Sequence, residues 1–275
     1  MLKSLHGIVS GSAGGIIPWD LNSASYDNVA FAHGVSAVYG VFFRPDGLRI
    51  YLCTFGNMYQ FTLGTAWDLS TATTSGSVSF NTAGQDNFPH DLFFSTDGLK
   101  MYMVGAQNSR IYQYPLSVAW DLSTATTVGV VTSPVLPEGS FPSGAYIRSD
   151  GLKLYTSADP SIWQYTFGTA WDISTVTYDS VTFNVSGTPQ GTPETIFFKP
   201  DGLEMFVLGS TPDAVGQYTL GTAWDLSTAT LVGLRTFSVV AQEGDSRGLY
   251  FKPDGTKMYM GGTFTVPRNI YQYTL

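Results

Sequence analysis

The chain has 275 residues, which fits one large all-β domain or two smaller ones. Aromatic residues make up 15% and charged residues only 12%, with 30 glycines, a balance that favours sheets with short turns over a helical bundle or a disordered tail. The net charge of −8 repels phosphate backbones and anionic lipid, so no nucleic-acid partner is expected, and no apolar run is long enough for membrane insertion as a spanning helix.

Residues 1–18, MLKSLHGIVSGSAGGIIP, lack the apolar core of a secretory signal, so folding in the cytoplasm where the chain is made is expected. They read as a flexible arm with GSAGG as its joint, and Lys3, Leu5 and Ile8 are its candidate docking residues. An untethered terminus is the plainer alternative. From Trp19 the chain reads WDLNSASYDNVAF, an outer strand without the three strands that should precede it.

A unit then repeats. Its turn appears as FRPDGLRIY from Phe43, FSTDGLKMY from Phe94, IRSDGLKLY from Ile147, FKPDGLEMF from Phe198 and FKPDGTKMY from Phe251. The turn aspartates, Asp46, Asp97, Asp150, Asp201 and Asp254, are 51, 53, 51 and 53 residues apart. Before each turn lies an apolar run such as Leu92 to Phe94 or Ile196 to Phe198, the pattern of a strand buried on both faces. Pro-Asp-Gly reverses the chain because proline presets φ and glycine accepts positive φ. An alternating strand such as KMYMVG from Lys100 follows, then one of the IYQYTL type, and WDLSTAT carries the chain to a more polar outer strand such as SGSVSF from Ser75. Such an outer strand protects a sheet edge from pairing with strangers.

Repeated four-stranded units of this length predict a β-propeller, and the count is five. The final unit stops at IYQYTL, Ile270 to Leu275, without an outer strand. The strand after Trp19 supplies it, closing the ring and giving an all-β, five-bladed propeller over 19–275 with four antiparallel strands per blade.

On these residues the chain resembles propellers built from PDG-x-x-x-Y and WDLSTA units, found in phage virion proteins and bacterial surface-type proteins. The resemblance implies the fold, a virion location and attachment through the arm to other virion proteins. It departs at STDG and RSDG, which lack proline, and at Gly216, which stands where other units carry an aromatic residue.

Blade topology puts the PDG turns and WDLSTAT crossings on one face and the loops between blades on the other. The first face is nearly uniform. The second differs in every blade, for example NTAGQDNFPHD from Asn81 against VVAQEGDSRG from Val239, so recognition is expected there. Seven residues before each turn aspartate stand Tyr39, His90, Ser143, Glu194 and Arg247, expected to ring that mouth of the central channel. With Asp91, Glu138, Glu243 and Asp245 nearby, the ring is a candidate site for a polar ligand. The plainer alternative, and the preferred one, is a plug whose groups satisfy one another, with Glu194 pairing to Arg247.

Gln60, Gln113, Gln164, Gln217 and Gln272 near the repeated tryptophans open a lectin reading with five equal sugar sites. Against it, each glutamine is expected to satisfy backbone groups between blades while each indole packs. Cys53 occupies a strand-filler position. His6, His33 and His90 are too scattered for a metal site, and no nucleophile elbow or phosphate loop appears, so no metal or cofactor is expected. Near-equivalent repeats argue against an asymmetric active site. The expectation is therefore a non-enzymatic bacteriophage structural protein, a head or tail appendage whose variable face meets a host-surface glycan or protein. The alternatives are a soluble lectin and a glycosidase or lactonase using the channel carboxylates Asp91, Glu194 and Asp245.

Overall fold

A computed structural model describes residues 17–134, 136 and 141–275. The arm residues Lys3, Leu5 and Ile8, and Glu138, lie outside the described residues. The first strand is β1 (Ser25–Ala32). Blade 1 comprises β2 (Val38–Phe43), β3 (Arg49–Thr54), β4 (Asn57–Leu63) and β5 (Ala72–Asn81). Blade 2 comprises β6 (Pro89–Phe94), β7 (Lys100–Gly105), β8 (Arg110–Pro115) and the short β9 (Val131–Thr132). Blade 3 runs through β10 (Gly144–Ile147), β11 (Lys153–Ala158), β12 (Ser161–Phe167) and β13 (Val176–Asn184). Blade 4 runs through β14 (Pro193–Phe198), β15 (Glu204–Ser210), β16 (Asp213–Leu220) and β17 (Ala229–Ser238). Blade 5 takes β18 (Ser246–Phe251), β19 (Lys257–Gly262) and β20 (Asn269–Thr274), and β1 pairs antiparallel to β20 as its outer strand. The molecule is a five-bladed β-propeller closed by its N-terminal strand.

The repeated words of the sequence perform local tasks. In each turn the aspartate accepts a backbone N–H two residues on, as Asp97 Oδ1 does from Leu99 at 3.0 Å. The turn glycine has φ near +70°, and the tryptophan of its own blade lies against it. A Cβ added at Gly47, Gly98, Gly151, Gly202 or Gly255 would come within 2.4 Å of that indole. The aspartate after each tryptophan caps a one-turn 3-10 helix, Asp68 accepting from Ser70 N at 3.0 Å.

Neighbouring blades are joined by the same residues. The glutamine amide oxygens accept backbone N–H bonds from the next blade: Gln60 from Leu122, Gln113 from Ile173, Gln164 from Leu226, Gln217 from Leu21 and Gln272 from Leu69. The glutamines are thereby committed to the scaffold and withdrawn from the sugar sites a lectin would need. The hydroxyls of Tyr51, Tyr102, Tyr155 and Tyr259 donate to the carbonyls of Trp120, Trp171, Trp224 and Trp67, each on the following blade, at 2.6 to 2.8 Å. Five apolar clusters fill the spaces between blades, for example Tyr51, Cys53 and Met58 of blade 1 against Phe94, Met101 and Met103 of blade 2. Cys53 is fully buried there, and burial raises its thiol pKa, consistent with a filler rather than a nucleophile.

Closure of blade 5 is reinforced by Asp27 on β1, which accepts from Lys257 Nζ at 2.6 Å, Gln272 Nε2 at 2.8 Å and Thr274 Oγ1 at 2.7 Å. The departure at Gly216 has a packing cause. Gln190 from the loop before β14 occupies the space, and a Cβ at Gly216 would meet its amide oxygen at 2.1 Å.

The seam between blades 4 and 5 lacks the tyrosine-to-tryptophan bond of the other four. Phe206 stands where the other blades carry the bridging tyrosine, and the Gln217 to Leu21 bond is the longest of its set at 3.5 Å. Phe206→Tyr directs a hydroxyl towards the Trp19 carbonyl and is expected to raise the unfolding free energy by about 1 kcal/mol in urea titration. An unchanged midpoint would show that the carbonyl is out of reach.

Candidate functional site

The inner strands β2, β6, β10, β14 and β18 line the axis, and counting back from the turn aspartates gives the layers of the channel. Seven residues back, neighbouring blades engage one another. Tyr39 stacks on His90 with centroids 5.0 Å apart and planes 4° apart. Ser143 Oγ donates to the Pro193 carbonyl at 2.7 Å. Arg247 meets Glu194 at 2.6 Å and Asp245 at 2.7 Å. Burial holds the His90 imidazole down to about 4, with help from the Arg247 charge. It raises Glu194 despite the guanidinium beside it. Glu243, also buried, accepts the backbone N–H groups of Asp245, Phe264 and Thr265 and so clamps its loop. Ser143, Glu194 and Arg247 are thus engaged across blade boundaries, although Arg247 Nε is buried without a hydrogen-bond partner.

Six residues back the repeat breaks. The residues are Gly40, Asp91, Gly144, Thr195 and Gly248, one carboxylate among three glycines and a threonine. The glycines are required by space: a Cβ at Gly40 would stand 2.6 Å from Asp91 Oδ1, and one at Gly144 2.6 Å from backbone atoms of Glu194 and Thr195. Asp91 Oδ1 accepts from Leu92 N at 2.8 Å. Its Oδ2 accepts from Ala145 N and Thr195 Oγ1, both at 3.1 Å, so one side chain ties three blades together. Loss of water outweighs these three donors and pushes Asp91 up to about 7.

Four residues back is a layer of rings, Phe42, Phe93, Tyr146, Phe197 and Tyr250. Four meet edge to face in sequence around the axis: Phe42 with Tyr250 at 5.3 Å, Tyr250 with Phe197 at 5.4 Å, and Phe197 with Tyr146 at 5.5 Å. A cavity of about 220 Å³ runs from Asp91 and Thr195 past these rings to Trp171, Trp224 and the turn residues Thr96, Ser149, Pro200 and Pro253. It opens on the uniform turn face, opposite to the variable loops where recognition is expected. Asp91 is the one carboxylate in its lining, which contains no lysine, arginine or histidine. The ring layer and Thr195 are absent from the candidates named above, although the same counting from the turn aspartates reaches them. Among the described residues no three metal-ligating side chains gather in one place.

No protein-family model and no curated protein matches the chain. Solved structures are similar in shape. A candidate 6-phosphogluconolactonase from Bacteroides uniformis has 12% identity and a TM-score of 0.47, with 86% of this chain and 67% of that one covered. A second, from Bacteroides fragilis, has 15% identity at the same TM-score and coverage. Hydrazine synthase of Kuenenia stuttgartiensis has 16% identity and a TM-score of 0.45, covering 82% and 55%. At such identities the likeness concerns the fold.

The expectation of a non-enzymatic bacteriophage structural protein is corrected at its physical premise. Equivalent repeats do enclose an asymmetric cavity lining: Asp91 has no counterpart in the other four blades.

The Asp91 proton is expected to register in stability. Its folded pKa, about 7, lies above the ordinary 3.8, so its contribution is complete below about pH 4 and lost as pH rises to 7. His33 and His90, both held near 4, act with the opposite sign over the same range. The difference between Asp91→Asn and the parent isolates the carboxylate. It should shift in favour of the variant by a few kcal/mol, on the order of 1.4 per pKa unit, between pH 4 and pH 8 in urea unfolding. A difference that stays flat with pH would contradict the raised pKa.

Proposed function

We propose that the chain is a hydrolase acting on a lactone or ester in its central cavity, with Asp91 as the acid–base group. One observation carries this reading: a single buried carboxylate, its pKa pushed up to about 7 by loss of water, forms the floor of a largely apolar cavity open to the turn face. Of the two hydrolase chemistries named from the sequence, the lactonase type fits better. Glycoside hydrolysis ordinarily needs two carboxylates flanking the bond, whereas Glu194 is paired with Arg247 and Asp245 with Arg247 and Thr263, outside the cavity lining.

The step requires only water. Ionised Asp91 takes a proton as the water oxygen adds to the acyl carbon. The ring C–O bond then breaks, and the departing oxygen recovers that proton, leaving a hydroxy acid. Thr195 Oγ1 and the Ala145 and Leu92 N–H groups hold the carboxylate in place throughout. With no cationic side chain in the lining, a phosphate on the substrate would go unpaired, so the substrate class is a lactone or ester without one.

A panel of lactones with and without phosphate tests this. Turnover is expected for those without it, rising through pH 7, and falling about 100-fold or more in Asp91→Asn. Retained activity in that variant would remove Asp91 from the chemistry, and preferred turnover of the phosphorylated compound would overturn the substrate class.

A further inference from the structure

We propose that the molecule entering the central cavity carries an alkylammonium group, held among the aromatic rings above Asp91. This rests on the reading of the cavity as the ligand site, but it concerns recognition and is read by binding alone. The walls are five rings, one from each blade, with Trp171 and Trp224 towards the opening. Ring faces are electron-rich and attract a cation that is too weakly hydrated to resist leaving water, as an alkylated ammonium is. Beneath them lies one carboxylate with no cationic partner in the lining. A neutral apolar guest would gain nothing from that carboxylate, an anion would be repelled by it, and a cation satisfies both it and the rings. The net charge of −8 draws cations towards the molecule in the first place.

The chemistry predicts its own pH dependence. Around Asp91, His90 is neutral, Glu194 is paired with Arg247, and burial keeps the Cys53 thiol and the Tyr146 and Tyr250 hydroxyls protonated. Asp91 itself is left to change charge near neutrality. A cation binds its ionised form, so affinity rises with pH through about 7, and binding below that pH releases a proton.

The full chain is titrated by calorimetry with choline and with 3,3-dimethylbutan-1-ol, which has the same shape without the charge. Choline is expected to bind at least tenfold more tightly at pH 8, with the ratio falling towards one at pH 5.5 and in Asp91→Asn. The comparison within the unaltered protein stands even if that variant fails to fold. Equal affinities at pH 8 would overturn the proposal while leaving the cavity a ligand site, and binding of neither compound would overturn it as well. The hydrolase reading is decided separately by turnover, so choline binding without lactone hydrolysis retains this inference and removes that one.

Discussion

An indole laid across a glycine holds each blade in register. The PDG turn needs a residue with positive φ, glycine supplies it, and the missing side chain leaves a flat place that the tryptophan covers. With the tryptophan fixed, its carbonyl has a defined position, and the tyrosine of the preceding blade bonds to it. The 3-10 turn that follows offers a backbone N–H to a glutamine of the same neighbour. A local turn is thereby converted into ring assembly. Because these bonds are made by repeated residues, the scaffold tolerates very different loops on the opposite face.

This explains which parts were legible in the sequence. Turn aspartates, tryptophans and glutamines recur because each blade needs all three, so period, blade count and closure by the Trp19 segment were readable directly. The pairing of Glu194 with Arg247 was also readable, since equivalent positions in adjacent blades must face one another. The cavity was not. Variation draws attention to loops, whereas the asymmetry that matters is a single change within the inner strands, Asp91 against Gly40, Gly144, Thr195 and Gly248. Whether such a layer is filled or open depends on how five ring side chains tilt, and no linear pattern encodes that. Gly216 is similar: its lost aromatic is intelligible only once Gln190 is seen in its place.

The channel divides into two chemical halves. Towards the variable loops, Tyr39 stacks on His90, Ser143 bonds the Pro193 carbonyl and Arg247 pairs with Glu194. Towards the turns, rings and a carboxylate line the cavity. Asp91 belongs to both, since it ties blades 2, 3 and 4 together while forming the cavity floor. A group with this double attachment changes charge at a cost to the scaffold, so a ligand that altered its charge would also alter the stability of the ring.

The pairing of β1 with β20 has a consequence for biogenesis. Ser25 sits opposite Thr274, so on a ribosome the closing strand emerges long before the strand it must join. Blades 1 to 4 each complete their own sheet as they appear, whereas β1 waits as an unpaired edge until blade 5 is made. The ring is therefore sealed by the contact most distant in sequence, the slowest kind to form, and the nascent chain is most exposed to aggregation before that seal.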